Sequence, residues 1–178
     1  VVSGAGLSTA SLEGNFGKAY GTLFSDNFYF EMTVGNVSHG GVGLVREDSV
    51  DVDNATHVAD GFIHIENPGN VIVNGTTVGT FSSYANGDVI GAWLKDGELY
   101  YAVNGTTANS GTAVATGITG NWSAAALRGS SGGDPSPITV NFGATSFAHT
   151  RPAGVNRLCT EDFATPDIIK SNQYFGIM

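Results

Sequence analysis

The sequence predicts an all-β protein, an antiparallel β-sandwich. Its apolar residues fall in short runs rich in Val, Ile, Tyr and Phe, and turn signals recur roughly every ten residues. Before Pro166 no stretch of about ten or more residues repeats its apolar positions with helical spacing. Composition agrees. Gly contributes 26 of the 178 residues and charged side chains only 13%, as in short strands joined by tight turns.

Taken in order, residues 1–21 are rich in Gly, Ser and Ala and weakly periodic, so 1–26 is expected to be an N-terminal segment packed on the sandwich. "NFYFEMTV" (27–34) is aromatic and β-branched and reads as a strand. "GGVGLV" (40–45) is a second strand, with glycines where another chain segment approaches closely. The polar, acidic residues 46–61 form a long loop, and "FIHIE" (62–66) alternates as a strand should.

"VIVNGTTV" (71–78) is a hairpin on Asn74-Gly75, a pair that tolerates the positive φ of a type I′ turn. "GDVIGAWLKDGELYYAVNG" (87–105) folds back at Asp96-Gly97, opposing Lys95 to Glu98, Leu94 to Leu99, Trp93 to Tyr100 and Ile90 to Val103. Ile90, Ala92, Leu94, Leu99, Tyr101 and Val103 then share the core face. A slip of one residue would expose that whole set, so the pattern specifies the register. "TAVATGI" (112–118), "WSAAAL" (122–127) and "ITVNFG" (138–143) read as further strands, with a loop over 130–137. From Arg151 the alternation is lost, and 156–178 reads as an extension or linker.

Charge excludes several functions. A net charge of −9 with seven scattered Lys and Arg gives no cationic groove for nucleic acid and no attraction to anionic membranes. No apolar run approaches the ~18 residues of a membrane span. The lone Cys159 rules out an internal disulfide framework and suits synthesis in a reducing compartment.

Catalytic constellations are not evident. His39, His57, His64 and His149 include no close pair, Cys159 has no base near it in sequence, and neither a nucleophile elbow nor a phosphate loop is present. The acidic loop offers Glu47, Asp48, Asp51, Asp53, Asn54 and Asp60 as hard oxygen donors, either for calcium or simply as a solvated loop; its spacing departs from that of a calcium-binding loop. Trp93 and Tyr100 are either an open stacking platform for a sugar ring or a pair covered by another segment. Five N-x-S/T sequons fall at Asn36, Asn54, Asn74, Asn104 and Asn121, where turn chemistry explains most of them. No cofactor is expected, and the chain is not expected to be an enzyme.

Four blocks in order resemble the SPRY (B30.2-like) family. "NFYFEMTV" is similar to the family's G-K-W-Y-F-E-V-x-V strand, and "GGVGLV" to its I-G-V-G strand. "GDVIGAWLKDGELYYAVNG" resembles the G-D-x-I-G…N-G hairpin, and "VNFGATSFAHTRPAGV" the closing block. The resemblance spans about 27–155 and implies a SPRY, concanavalin-like jelly roll that binds partners through loops at one edge and has no catalytic residues. By position, the implied ligand-binding residues are Arg46, Glu47, Asp48, Asp51, Asp53 and His57 after the second strand, with Arg128, Gly129, Ser130 and Asp134 before the last. Asn104, Gly105, Asn141 and Gly143 match motif positions whose role is turn and packing.

The tail "RLCTEDFATPDIIKSNQYF" is similar to the segment that follows such modules in bacteriophage tail-fibre and other virion proteins, although 162–164 departs in detail. This implies a piece of a longer virion protein, made in the bacterial host cytoplasm and carried on a tail fibre or other appendage. Implied partners are other virion subunits and a host-surface protein or glycan, with a homo-oligomer in the appendage. The alternatives are a polysaccharide lyase or hydrolase on a jelly roll, and a passive spacer or capsid decoration.

Overall fold

The computed structural model describes residues 7–9, 17–25, 27–35, 40–48, 61–66, 68–128 and 138–157. In chain order the strands are β1 (Leu7–Thr9), β2 (Gly17–Phe24), β3 (Phe28–Val34), β4 (Gly40–Arg46), β5 (Phe62–Glu66), β6 (Asn70–Val73) and β7 (Thr76–Thr80). They continue with β8 (Val89–Lys95), β9 (Glu98–Val103), β10 (Thr106–Thr107), β11 (Trp122–Arg128), β12 (Ile138–Asn141) and β13 (Asn156–Arg157). Among the described residues the only helical element is a 3-10 turn over Ala108–Gly111.

Two sheets face each other. The first runs β1-β12-β3-β8-β9-β10, and β13 lies parallel against the start of β3. The second runs β2-β11-β4-β5-β6-β7, and every pairing other than β13–β3 is antiparallel. Strands β1 and β2 come from residues 1–26, as an edge strand of each sheet, and β13 lies past residue 155. β1 spans only three residues, and β2 (GKAYGTLF) contains two glycines, so neither carries a long alternation.

The hairpin at Asp96-Gly97 forms in the expected register, from Ile90 opposite Val103 to Lys95 opposite Glu98. Its turn residues take φ of 54° and 74°, the primed-turn geometry that Asp and Gly accept. Ile90, Ala92, Leu94, Leu99 and Tyr101 are buried between the sheets with Phe28, Phe30 and Met32 of β3. The second sheet answers with Leu44, Ile63, Ile65, Val71 and Trp122. The Asn74-Gly75 turn also forms, with φ of 48° and 76°.

Residues 112–118 are not a strand, contrary to their β-rich composition. They lie beside β9 with a single bridge, where Leu99 N–H donates to the Ala115 carbonyl at 2.9 Å and Val114 N–H donates to the Leu99 carbonyl at 2.8 Å. Positive φ at Asn109, Ser110, Gly111 and Gly117 bends the chain at both ends of the run and prevents a continuous ladder.

Strand β3 is buried on both faces. Its outward residues Tyr29 and Glu31 are covered, with only Thr33 exposed. A second apolar cluster covers the first sheet from outside: Tyr29, Trp93, Ala102 and Val155, with Tyr100 and Phe147 against them. Phe147 meets Tyr29 edge-on at a centroid distance of 4.7 Å. The Glu31 carboxylate accepts the Tyr29 hydroxyl at 2.9 Å and the backbone N–H groups of Ala148 and His149 at 2.7 and 2.9 Å. Gly91 sits opposite Glu31, and a Cβ there would stand 2.5 Å from the Tyr29 hydroxyl. A closing segment after β12 is thus fastened over the sheet by a buried acid.

Burial and the neighbouring Glu31 charge hold the Tyr29 hydroxyl far above the ordinary tyrosine range, and burial pushes Tyr101 up to about 12. Both raised values mean that the folded state keeps protons the unfolded chain releases near pH 10. Their contribution is fully present below about pH 10 and is lost as pH rises through the raised values. Stability should therefore fall above about pH 10, by up to about 1.4 kcal/mol per pH unit for each tyrosine. Paired phenolate absorbance and circular dichroism test this: the two phenolates should appear with unfolding and not before it. Replacing Tyr29 with Phe should make the alkaline limb shallower.

Candidate functional site

The two loops expected to bind ligand leave the second sheet at opposite ends. Arg46 pairs with Trp122 at one end of the β4–β11 ladder, and Arg128 with Gly40 at the other. Six residue steps separate these ends, about 20 Å along the strands. Asp51, Asp53, His57, Gly129, Ser130 and Asp134 lie outside the described residues, as does the side chain of Arg128. The register alone brings the roots of the two loops to different poles of the sandwich, not to one surface.

At the Arg46 pole the structure shows how the long loop is rooted. Arg46 N–H donates to the Gly61 carbonyl at 2.8 Å, closing the mouth of the loop, and Gly61 N–H donates to the side-chain oxygen of Asn74 at 2.9 Å. Glu47 N–H donates to the Asn121 carbonyl at 3.0 Å, while the Asn121 side-chain amide donates back to Glu47 Oε1 at 2.9 Å. The Arg46 guanidinium lies 6.0 Å from the centroid of the Trp122 ring and its Nε donates to Asp48. Gly120 packs beside the arginine stem and takes a φ of 98°, a conformation that glycine accepts without strain. Trp122 is itself held by its indole N–H on the Thr119 carbonyl, at 3.1 Å. The β8–β9 turn joins the same pole, with Ile118 N–H donating to the Gly97 carbonyl at 2.9 Å.

This pole presents polar, mostly uncharged or acidic groups: the largely exposed Asp48, Glu47, Asn121, Thr119 and the Asn74-Gly75 turn. Arg46 is turned towards Asp48 and Trp122. The surface suits hydrogen bonding to hydroxyl or amide groups far better than capture of an anion. The sequence pattern points to Arg46, Glu47 and Asp48 but not to Asn121, Trp122 and Thr119. Asn121 was visible only as a sequon, and its partner Glu47 lies 74 positions away.

Other candidates resolve differently. Trp93 and Tyr100 stack at 5.4 Å with their planes 3° apart, but Trp93 is only 8% exposed, covered by the cluster that includes Tyr29 and Val155. The open-platform alternative is therefore not what Trp93 forms. Tyr100 is half-buried, and its hydroxyl donates to Glu98, the chief cause of its raised pKa. His64 is buried on the outward side of the second sheet, 3.5 Å from Glu66 Oε2, whereas His149 lies over the outward side of the first sheet. The sandwich separates these two imidazoles. His39, His57, Asn54, Asp60 and Cys159 lie outside the described residues. Among the described residues no three His, Cys, Asp or Glu side chains come together. Asn104 serves its turn, accepting from Val89 N–H at 2.9 Å and donating to Asp88 at 2.7 Å, and Asn141 likewise accepts from Gly143 N–H at 2.8 Å.

Comparison with solved structures bears on the two-sheet architecture. The SPRY domain of human HERC1 superposes with a TM-score of 0.65 at 15% identity, covering 79% of this chain and 91% of that one. A second human SPRY domain gives 0.58 at 17% identity, covering 82% and 96%. The fold is a SPRY-like β-sandwich. No family model matches the sequence, and no curated protein matches it either. Identities this low speak to the SPRY-like fold alone.

Proposed function

We propose that this chain is a non-catalytic binding module of a phage virion, a tail fibre or other surface appendage, which contacts a host-surface protein or glycan through the loops at its Arg46 pole. The observation that carries the reading is the rooting of the 46–61 loop. Backbone and side-chain bonds to Asn121 and Gly61 anchor its base while Glu47 and Asp48 stay exposed. Rigid scaffold beneath an exposed polar loop is how binding loops are positioned. The resemblance of the sequence blocks to SPRY modules supports holding rather than turnover. The virion setting rests on the resemblance of the C-terminal tail to phage fibre segments, and repetition around an appendage would convert weak loop contacts into avidity.

The test uses virions. Mass spectrometry should find the chain in purified particles. Replacing residues 47–57 with a short Gly-Ser turn should reduce host adsorption at least tenfold without changing the melting temperature of the domain. The same replacement of residues 129–134, at the far pole, should leave adsorption unchanged. Absence of the chain from virions defeats the setting. Adsorption that survives the first replacement leaves a spacer in place of a receptor-binding module.

A further inference from the structure

We infer that strand β7 is a self-association edge, through which two copies of this chain pair antiparallel about a two-fold axis at Val78. Among the described residues β7 is the outermost strand of the second sheet and is bonded on one side only, to β6. Alternate residues of such a strand aim N–H and C=O groups outward, ready to pair with another strand. Thr76, Thr77, Val78 and Thr80 all have exposed side chains. Val78, at 49%, is the one exposed large hydrophobic among the described residues.

Charge selects the occupant. Residues 67–87 contain no charged side chain, in a chain whose net charge is −9. Two copies at that net charge repel, and the middle of this hairpin strand brings no carboxylate of its own to the contact. Edge strands are commonly guarded by Lys or Pro, and β7 has neither. The other described edges differ: β1 and β10 span three and two residues, and β2 contains Lys18. A two-fold pairing needs one patch complementary to itself, which an antiparallel strand edge supplies.

The register explains why the contact centres on Val78. Val71 pairs with Gly79 but Ile72 with Thr77, so Val78 is the extra residue of a β-bulge. The bulge turns its side chain outward and shortens the run available for pairing. Two Val78 side chains would meet at the axis with threonine hydroxyls around them. So small a contact predicts a dimer that dissociates on dilution.

Sedimentation equilibrium of the chain over a wide concentration range tests this. The mass should climb from 18.3 kDa towards twice that value, more readily at high salt, where like-charge repulsion is screened. Val78→Lys should weaken the dimer at least tenfold with the melting temperature unchanged. On the wild type, backbone amides of 77–80 should exchange more slowly at high concentration, a readout that needs no variant. A chain that stays monomeric throughout overturns the proposal, even if the edge then binds an extended peptide or a neutral glycan. A dimer indifferent to Val78→Lys, with no change in exchange at 77–80, overturns it too.

Discussion

Glu31→Ala should destabilise the domain by on the order of 3–5 kcal/mol and loosen the closing segment before anything else. The side chain is only 4% exposed and accepts three hydrogen bonds, from the Tyr29 hydroxyl and the N–H groups of Ala148 and His149. Removing the acceptor leaves one buried donor, the Tyr29 hydroxyl, and two part-buried backbone N–H groups, each costing about 1–3 kcal/mol less whatever water recovers. Glu31→Gln should cost less, because one amide oxygen can still accept while its NH2 group meets a donor. Tyr29→Phe should remove much of the same energy, so the double variant should lose less than the sum of the single ones. Denaturant melts give the magnitude. Hydrogen exchange at Ala148 and His149 gives the location, and a loss below about 0.5 kcal/mol, within the range of ordinary surface substitutions, would show that the latch is not there.

Leu99→Ala is expected to cost roughly 2–5 kcal/mol through the core instead, by lost burial and a residual cavity. Leu99 is 2% exposed and opposes Leu94, which is fully buried. Its backbone bonds to Ala115 and Val114 survive the substitution, so the loss isolates packing. The denaturation midpoint should fall with little change in slope, and protection should drop across both sheets rather than selectively at 148 and 149. Comparing the two variants separates a global core from a local latch.

The hairpin at Asp96-Gly97 was legible because everything that specifies it is local. A turn pair that tolerates positive φ fixes which residues oppose, and alternation fixes which face is buried. The same holds for β3, β5 and the Asn74-Gly75 hairpin. Residues 112–118 had the composition of a strand, but the left-handed residues flanking them could not be foreseen from Thr, Ala and Val alone.

Sequence by itself determined that this chain makes short antiparallel strands, with two sheets closing on Leu94, Leu99 and Tyr101, because periodicity and turns act between neighbours. Only the tertiary structure decided that the Arg46 and Arg128 loops leave from opposite poles, since this follows from β11 pairing antiparallel with β4. It also decided that Trp93 is covered rather than open and that Glu31, a residue that charge alone would place in water, is buried. Those outcomes depend on Ala148 reaching Glu31 across 117 positions and Asn121 reaching Glu47 across 74. Contacts that distant are set by sheet order and by what folds over each sheet, and neither leaves a period in the chain.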